Sequence, residues 1–237
     1  VIWFAIPDGH QMAHVLRHIE KAGIAFEGYE KGRLVGRPAL RCVSDEARRL
    51  LPDPSRVRVK VIRPQDMPRH VATGAVDIGI TGTDWWTEHR VQFPGSPVEV
   101  AARLGFGKVR IVAALSEDLP VRDVPSLKRY IRKLPPGRPL RIASEYAFIA
   151  DHFARTSRLG QYVILMTYGA TEALIPEDAD VIVENTETGS TLRKNRLRII
   201  ETIMESEGCL VANAASAKAP GKGALIEALV RIFDIPR

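Results

Sequence analysis

The period of apolar positions changes repeatedly along the chain, and each change marks an element. Residues 1–6 are an apolar run closed by Pro7, Asp8 and Gly9, after which Met12, Val15, Leu16 and Ile19 recur at helical spacing up to Gly23. Strand side chains alternate with a period of two and helical ones with a period of about 3.6, so the opening reads as strand, turn and helix. Residues 56–63 alternate apolar and basic positions as a strand does. A helix is expected from Gln65 to Gly74, and a β-rich run over 76–80 ends in Thr81, Gly82, Thr83 and Asp84. Two more strands are expected at 98–104 and 109–115, around Gly105, Phe106 and Gly107. Beyond a Pro-rich loop at 134–139, the pattern gives a strand at 140–143, a helix at 145–157 and strands at 162–166 and 180–183. A long helix over 191–207 and a late strand over 209–212 complete the reading. Alternating strands and helices argue for an α/β protein of parallel βαβ units, each sheet covered on both faces.

At 237 residues the chain can bury two small cores, and two lobes with a ligand cleft between them suit this length better than one very wide sheet. No stretch approaches the roughly 18 consecutive apolar residues of a membrane span. Residues 1–7 lack the charged start of a secretion signal, so a soluble, cytoplasmic protein is expected. Cys42 and Cys209 lie far apart in no metal-ligand spacing, and the six histidines show no pairing that points to metal or nucleophilic catalysis. The formal charge of +6 suits an anionic ligand. The basic residues are mixed with acids, however, and aromatics are only 6% of the chain, unlike the basic stripe and stacking platforms of a nucleic-acid binder. Phosphorylated small molecules match better, although charge alone fits a merely basic protein equally well.

The most informative chemistry lies at residues 179–192, where an apolar strand runs into Glu184, then into the turn Thr188-Gly189-Ser190-Thr191, then into a helix. The first N–H groups of a helix have no internal partners and face the positive end of its dipole, so they favour an anion. Thr188, Ser190 and Thr191 add hydroxyl donors, and Gly189 lets the backbone approach a phosphate closely. An acid placed before such a cradle would repel phosphate if it pointed inward. It makes sense as the acceptor for the 2′ and 3′ hydroxyls of an attached ribose, the role expected of Glu184. An ordinary N-cap explains the serine and threonines alone.

The same segment resembles the phosphoribosyl-pyrophosphate loop of the ATP phosphoribosyltransferase family, in which an acid stands four residues before Thr-Gly-x-Thr-Leu. Three further blocks follow that family's order: Arg63-Pro64-Gln65-Asp66-Met67-Pro68 with residues 74–84, Leu104-Gly105-Phe106-Gly107, and Gly169-Ala170-Thr171-Glu172. The resemblance implies a two-lobed fold like the type II periplasmic binding proteins, with the chain crossing to the second lobe and back. Residues 1–104, completed by 205–237, would form the first lobe, and residues 105–204 the second. It implies transfer of phosphoribosyl from phosphoribosyl pyrophosphate to N1 of ATP, the first step of histidine biosynthesis, with Mg²⁺ neutralising the pyrophosphate released. The last matching block ends at Leu210-Val211-Ala212-Asn213 with 24 residues after it, which is similar to the family's short form. That form implies a homo-oligomer working with a regulatory subunit similar to histidyl-tRNA synthetase.

Other positions keep two readings. Asp84 would face the nucleotide or cap the next helix, and Arg63 would touch a phosphate or pair with Asp66. Gly105 and Gly107 would serve a hinge between lobes or a tight turn, and Glu172 would line the cleft or complement a helix start. Trp85 and Trp86 read as packing residues more readily than as an adenine platform. One departure stands out: where family members carry Pro-Lys-Gly-Arg, this chain has Pro7-Asp8-Gly9-His10. An acid replaces a cation, and Lys31, Arg37 or Arg41 would have to restore the charge. The substitution keeps open a non-catalytic small-molecule binder on the same scaffold, or a phosphoribosyltransferase with another acceptor.

Overall fold

A computed structural model describes residues 1–30 and 33–234. Lys31 and the side chain of His10 lie outside the described residues. The first half runs β1 (Ile2–Pro7), α1 (His10–Lys21), β2 (Ile24–Glu30), β3 (Arg33–Cys42), α2 (Asp45–Leu50), β4 (Val57–Ile62), α3 (Met67–Ala72), β5 (Ile78–Gly82), α4 (Thr83–Gln92), β6 (Val98–Arg103) and β7 (Val109–Ser116). It continues through α5 (Val124–Ile131), β8 (Leu140–Ser144), α6 (Ala147–Thr156), β9 (Tyr162–Met166), β10 (Val181–Thr186), α7 (Ser190–Lys194), β11 (Leu197–Ser206), β12 (Gly208–Asn213), α8 (Ala214–Lys218) and α9 (Lys222–Phe233). The chain divides into two compact units, Val1–Gly107 with Glu207–Arg237, and Lys108–Ser206.

Unit 1 holds a five-stranded sheet in the order β4-β1-β5-β12-β6 and a separate β2-β3 hairpin. Strand alternation divides its core between two faces. Phe4, Ile6, Val59 and Ile80 pack with α1 and α9 on one, while Ala5, Met67, Val71 and Val211 pack on the other. Phe4 meets Phe233 of α9 edge-on, with ring centroids 5.7 Å apart. Burying a side chain of this size stabilises the fold by roughly 1.5–3 kcal/mol. Strands β1, β4 and β5 are mutually parallel, so their carboxyl ends share one edge of the sheet.

Unit 2 holds the order β11-β7-β10-β8-β9. Strands β10, β8 and β9 are parallel and again share a carboxyl edge, whereas β7 and β11 run antiparallel to their neighbours. Both sheets are therefore mixed rather than purely parallel as the alternation implied, because β12 returns antiparallel between β5 and β6. The long helix expected over 191–207 is also corrected. Helix α7 stops at Lys194, Arg196 takes a left-handed φ of 54°, and residues 197–206 pair with β7 as β11. Two register shifts in that pairing, between Ile199 and Glu201 and between Thr202 and Met204, break the strand alternation and gave the segment its helix-like spacing.

Candidate functional site

In an open α/β sheet, ligands bind where parallel strands end at their carboxyl tips. In unit 2 that edge carries Glu184 in β10, Glu145 after β8, and Thr167, Thr171 and Glu172 after β9. The half-buried Glu184 carboxyl is pushed up to about 7 by burial, with the nearby charges of Glu145 and Glu172 adding to the rise. The Asn185 N–H, 2.9 Å from its Oε1, and the Thr171 hydroxyl act in the other direction. Burial also raises Glu145. The Asn185 amide donates to Glu184 Oε1 at 2.9 Å and to the Tyr146 hydroxyl at 3.2 Å. Glu184 is thus a carboxyl poised to change charge near neutral pH, set beside neutral donors.

The turn that follows is built around Gly189, whose φ of 75° is left-handed and costs a side chain roughly 1–2 kcal/mol. The Gly189 N–H donates to Thr186 Oγ1 at 2.9 Å, and the Ser190 N–H donates to Thr188 Oγ1 at 3.3 Å. These two donors are already spent within the turn. With α7 only five residues long, little helix dipole stands behind the turn. Its capacity to hold an anion rests instead on the alcohols of Ser190 and Thr191, joined by Thr188 once its hydroxyl gives up the bond it donates to Ser190 Oγ at 3.1 Å, all on exposed residues. Arg193 adds a cation: its Nη1 lies 3.2 Å from where a Cβ on Gly189 would stand. Glu184, Thr188, Gly189, Ser190, Thr191 and Glu172 therefore sit along one edge of one sheet.

Arg63 and Asp84 belong to the corresponding edge of unit 1. Among the described residues, the acid paired with Arg63 is Asp8, with Nε to Oδ2 3.5 Å, rather than Asp66, which starts α3. Asp84 is buried in the first turn of α4, its Oδ1 occupying the space that a Cβ on Gly82 would take, so Gly82 makes room for that carboxylate. Trp86 is a packing residue, its indole N–H donating to the Val98 carbonyl. Gly105 and Gly107, with φ of 68° and 60°, close unit 1 just before the chain leaves it. Of the cations considered as replacements near Asp8, Arg41 pairs with Glu27 and Arg37 lies over the Trp3 ring.

Sequence reasoning missed Glu145, Tyr146, Asn185, Thr186 and Arg193. The first two follow Ser144 directly, at the carboxyl end of a strand, and that position alone could have marked them.

Among solved structures, the chain is similar to the ATP phosphoribosyl transferase (HisG:HisZ) complex from Thermotoga maritima, with a TM-score of 0.71, 21% identity and 99% of each chain covered. It is also similar to the alkanesulfonate-binding protein SsuA from Xanthomonas axonopodis pv. citri bound to MOPS, with a TM-score of 0.54, 11% identity, and 98% and 71% covered. The fold is thus the α/β architecture shared by periplasmic binding proteins and this transferase. A family model described as HisG, ATP phosphoribosyltransferase, matches residues 63–234. Relatives named ATP phosphoribosyltransferase are 37% identical over 182 residues in Chlorobaculum parvum and 36% over 175 in Solibacter usitatus. These alignments cover 77% and 74% of this chain. The chain belongs to the ATP phosphoribosyltransferase family. It spans 58% and 57% of the length of those two relatives.

Proposed function

We propose that this chain transfers phosphoribosyl from phosphoribosyl pyrophosphate to N1 of ATP, the first step of histidine biosynthesis, in the cytoplasm. The observation that carries the reading is the unit 2 edge, where a carboxyl tuned to about 7 adjoins an exposed turn of alcohols built on a left-handed glycine. The N1 lone pair forms the bond to C1 as the C1–O bond breaks and pyrophosphate leaves with its electron pair. No covalent nucleophile is needed; positioning and electrostatics carry the reaction. Ionised Glu184 accepts the ribose hydroxyls. Thr188, Ser190 and Thr191 donate to the phosphate, with Arg193 as the nearby cation.

No group of three His, Cys, Asp or Glu side chains that could hold a metal occurs among the described residues. Mg²⁺ accordingly enters as the counterion of the substrate pyrophosphate, as is usual for this hard cation, and neutralises the leaving group. Among the described residues no helix is long and apolar enough to cross a membrane, in keeping with the proposed location. The Thermotoga maritima relative is a HisG:HisZ complex, which supports a partner subunit of the HisZ kind; the proposal adds that this partner resembles histidyl-tRNA synthetase and that the chain itself forms a homo-oligomer.

The test is an assay of ATP, phosphoribosyl pyrophosphate and Mg²⁺ with the chain, alone and with a panel of such subunits. Phosphoribosyl-ATP and pyrophosphate should form together. Absence of both products across the panel removes the reading and favours a non-catalytic binder, the alternative that Asp8 keeps open.

A further inference from the structure

The carboxyl edge of unit 1 carries two buried acceptor oxygens, Asp8 Oδ1 and Gln11 Oε1, with no hydrogen-bond partner among the described residues. Buried polar atoms are nearly always paired, so two orphans in one place call for an explanation. Both residues border Gly82. The β1–β5 register pairs Phe4 with Ile78 and Ala5 with Gly79, and continued along the strands it sets Asp8 across from Gly82. The Gln11 amide nitrogen is 3.3 Å from where a Cβ on that same Gly82 would stand.

Nearby donors are committed elsewhere. The Tyr29 hydroxyl donates to the Pro7 carbonyl, the Thr81 hydroxyl to the Pro64 carbonyl at 2.8 Å, and the Thr83 N–H to the Glu207 carbonyl at 2.9 Å. Arg63 faces the other Asp8 oxygen, Oδ2. An acid just before α1 complements the helix dipole, which accounts for the charge of Asp8. That helix has no side-chain cap bond, so capping does not use the bare oxygen. A bound metal is a poor match, since no cluster of three ligating side chains is present among the described residues.

We infer that Asp8 and Gln11 form a specificity site for a ligand amino group, as on the six-position of an adenine ring. One such group carries two N–H donors and satisfies both acceptors at once, whereas a hydroxyl carries one. This rests on the transferase reading for the identity of the nucleotide. It gives Asp8 a use: the acid reads the base instead of holding a phosphate. A site built of acceptors rejects an oxygen in the amino position, because two lone-pair-bearing groups would then face each other.

The experiment is calorimetric titration of the full chain with ATP and with inosine triphosphate, which carries a carbonyl oxygen in place of the amine, in the presence of Mg²⁺. Wild type should bind ATP at least tenfold more tightly. Asp8→Asn, which presents an N–H to that carbonyl, should bring the ratio within about threefold, and Gln11→Glu, which keeps acceptor oxygens, should preserve it. Equal binding of the two nucleotides by wild type overturns the inference. So does an Asp8→Asn protein that gains the same factor for both, since that would reduce Asp8 to a charge repelling phosphate. Discrimination without transfer activity leaves the inference standing and removes the proposed reaction, whereas transfer without discrimination does the reverse.

Discussion

Each sheet has an acid at both of its edges, and the two edges treat their acids differently. At the amino end of a central strand, Asp77 precedes β5 and Asp180 precedes β10. Asp77 accepts from the Trp3 N–H, Ser216 and Lys222, and Asp180 from the Arg141 N–H and the guanidinium groups of Arg138 and Arg141. Burial alone would raise both acids, but these bonds outweigh it and hold each below the usual carboxylate range. At the carboxyl ends, burial wins at Glu184, and Asp8 keeps an oxygen without a donor. Burial is common to both edges; cationic hydrogen-bond donors are not. Asp77 and Asp180 are bonded to Lys222 and to Arg138 and Arg141 and hold the fold, whereas Glu184 has neutral donors alone and Asp8 keeps a bare oxygen, which leaves them available to a ligand.

The largest expected effect falls on the satisfied edge. Asp180→Ala strips the partner from two arginines and should destabilise unit 2 by about 3 kcal/mol, at the low end for buried pairs because both arginines still reach water. Urea unfolding at neutral pH reads this, and a loss below about 1 kcal/mol would erase the distinction between the edges. Since the Asp180 carboxyl is held below its ordinary value near 3.8, this stabilisation is present above that pH and disappears as the acid is protonated below it.

Glu184 should behave in the opposite sense. Its folded-state value of about 7 exceeds the ordinary 4.5, so the folded chain binds the extra proton between these limits and loses stability as pH rises through that window. Glu184→Gln should therefore raise stability at pH 8 by up to about 3 kcal/mol and change it little at pH 4. Matched urea curves at the two pH values check this; an equal effect at both would show that Glu184 is not a strained acid. A smaller effect is expected at Gly189, where valine should cost about 1–3 kcal/mol in the left-handed turn. Asparagine, which tolerates that conformation, should cost less. Thermal unfolding of the two variants ranks them, and identical midpoints would mean that the turn relaxes freely.

Much of this division was legible in the sequence, because strand ends followed by Gly, Ser, Thr and acids mark carboxyl edges. The turn from Glu184 to Thr191 was readable for that reason, as was the strand of β5 leading into Asp84. What stayed hidden depended on pairing across distance. The bulges of β11 disguised its period, and the β2–β3 hairpin was missed because a register shift between Glu27 and Tyr29 interrupts its alternation too. The partner of Arg63 was misassigned for a related reason: Asp66 is near in sequence, while Asp8 is near only once β1 and β4 pair in parallel. The turn after Glu184 marked that acid locally, but nothing local showed that Asp180 is held by Arg138 and Arg141, which are distant in sequence.

The central claim is that the unit 2 edge grips a phosphorylated ribose. Calorimetric titration of phosphoribosyl pyrophosphate into wild type, Thr188→Val, Thr191→Val and Glu184→Gln between pH 6 and pH 8 tests it most directly. Each valine variant should bind roughly fivefold to tenfold more weakly, as expected for loss of one hydrogen bond to the ligand; Thr191→Val should keep the unfolding midpoint, and Thr188→Val, which also removes the acceptor of the Ser190 N–H, should lower it slightly. Wild-type affinity should rise with pH through about 7 as Glu184 ionises, and the glutamine variant should lose that rise. Undiminished binding by both valine variants, with the same pH profile in wild type and Glu184→Gln, would contradict the account.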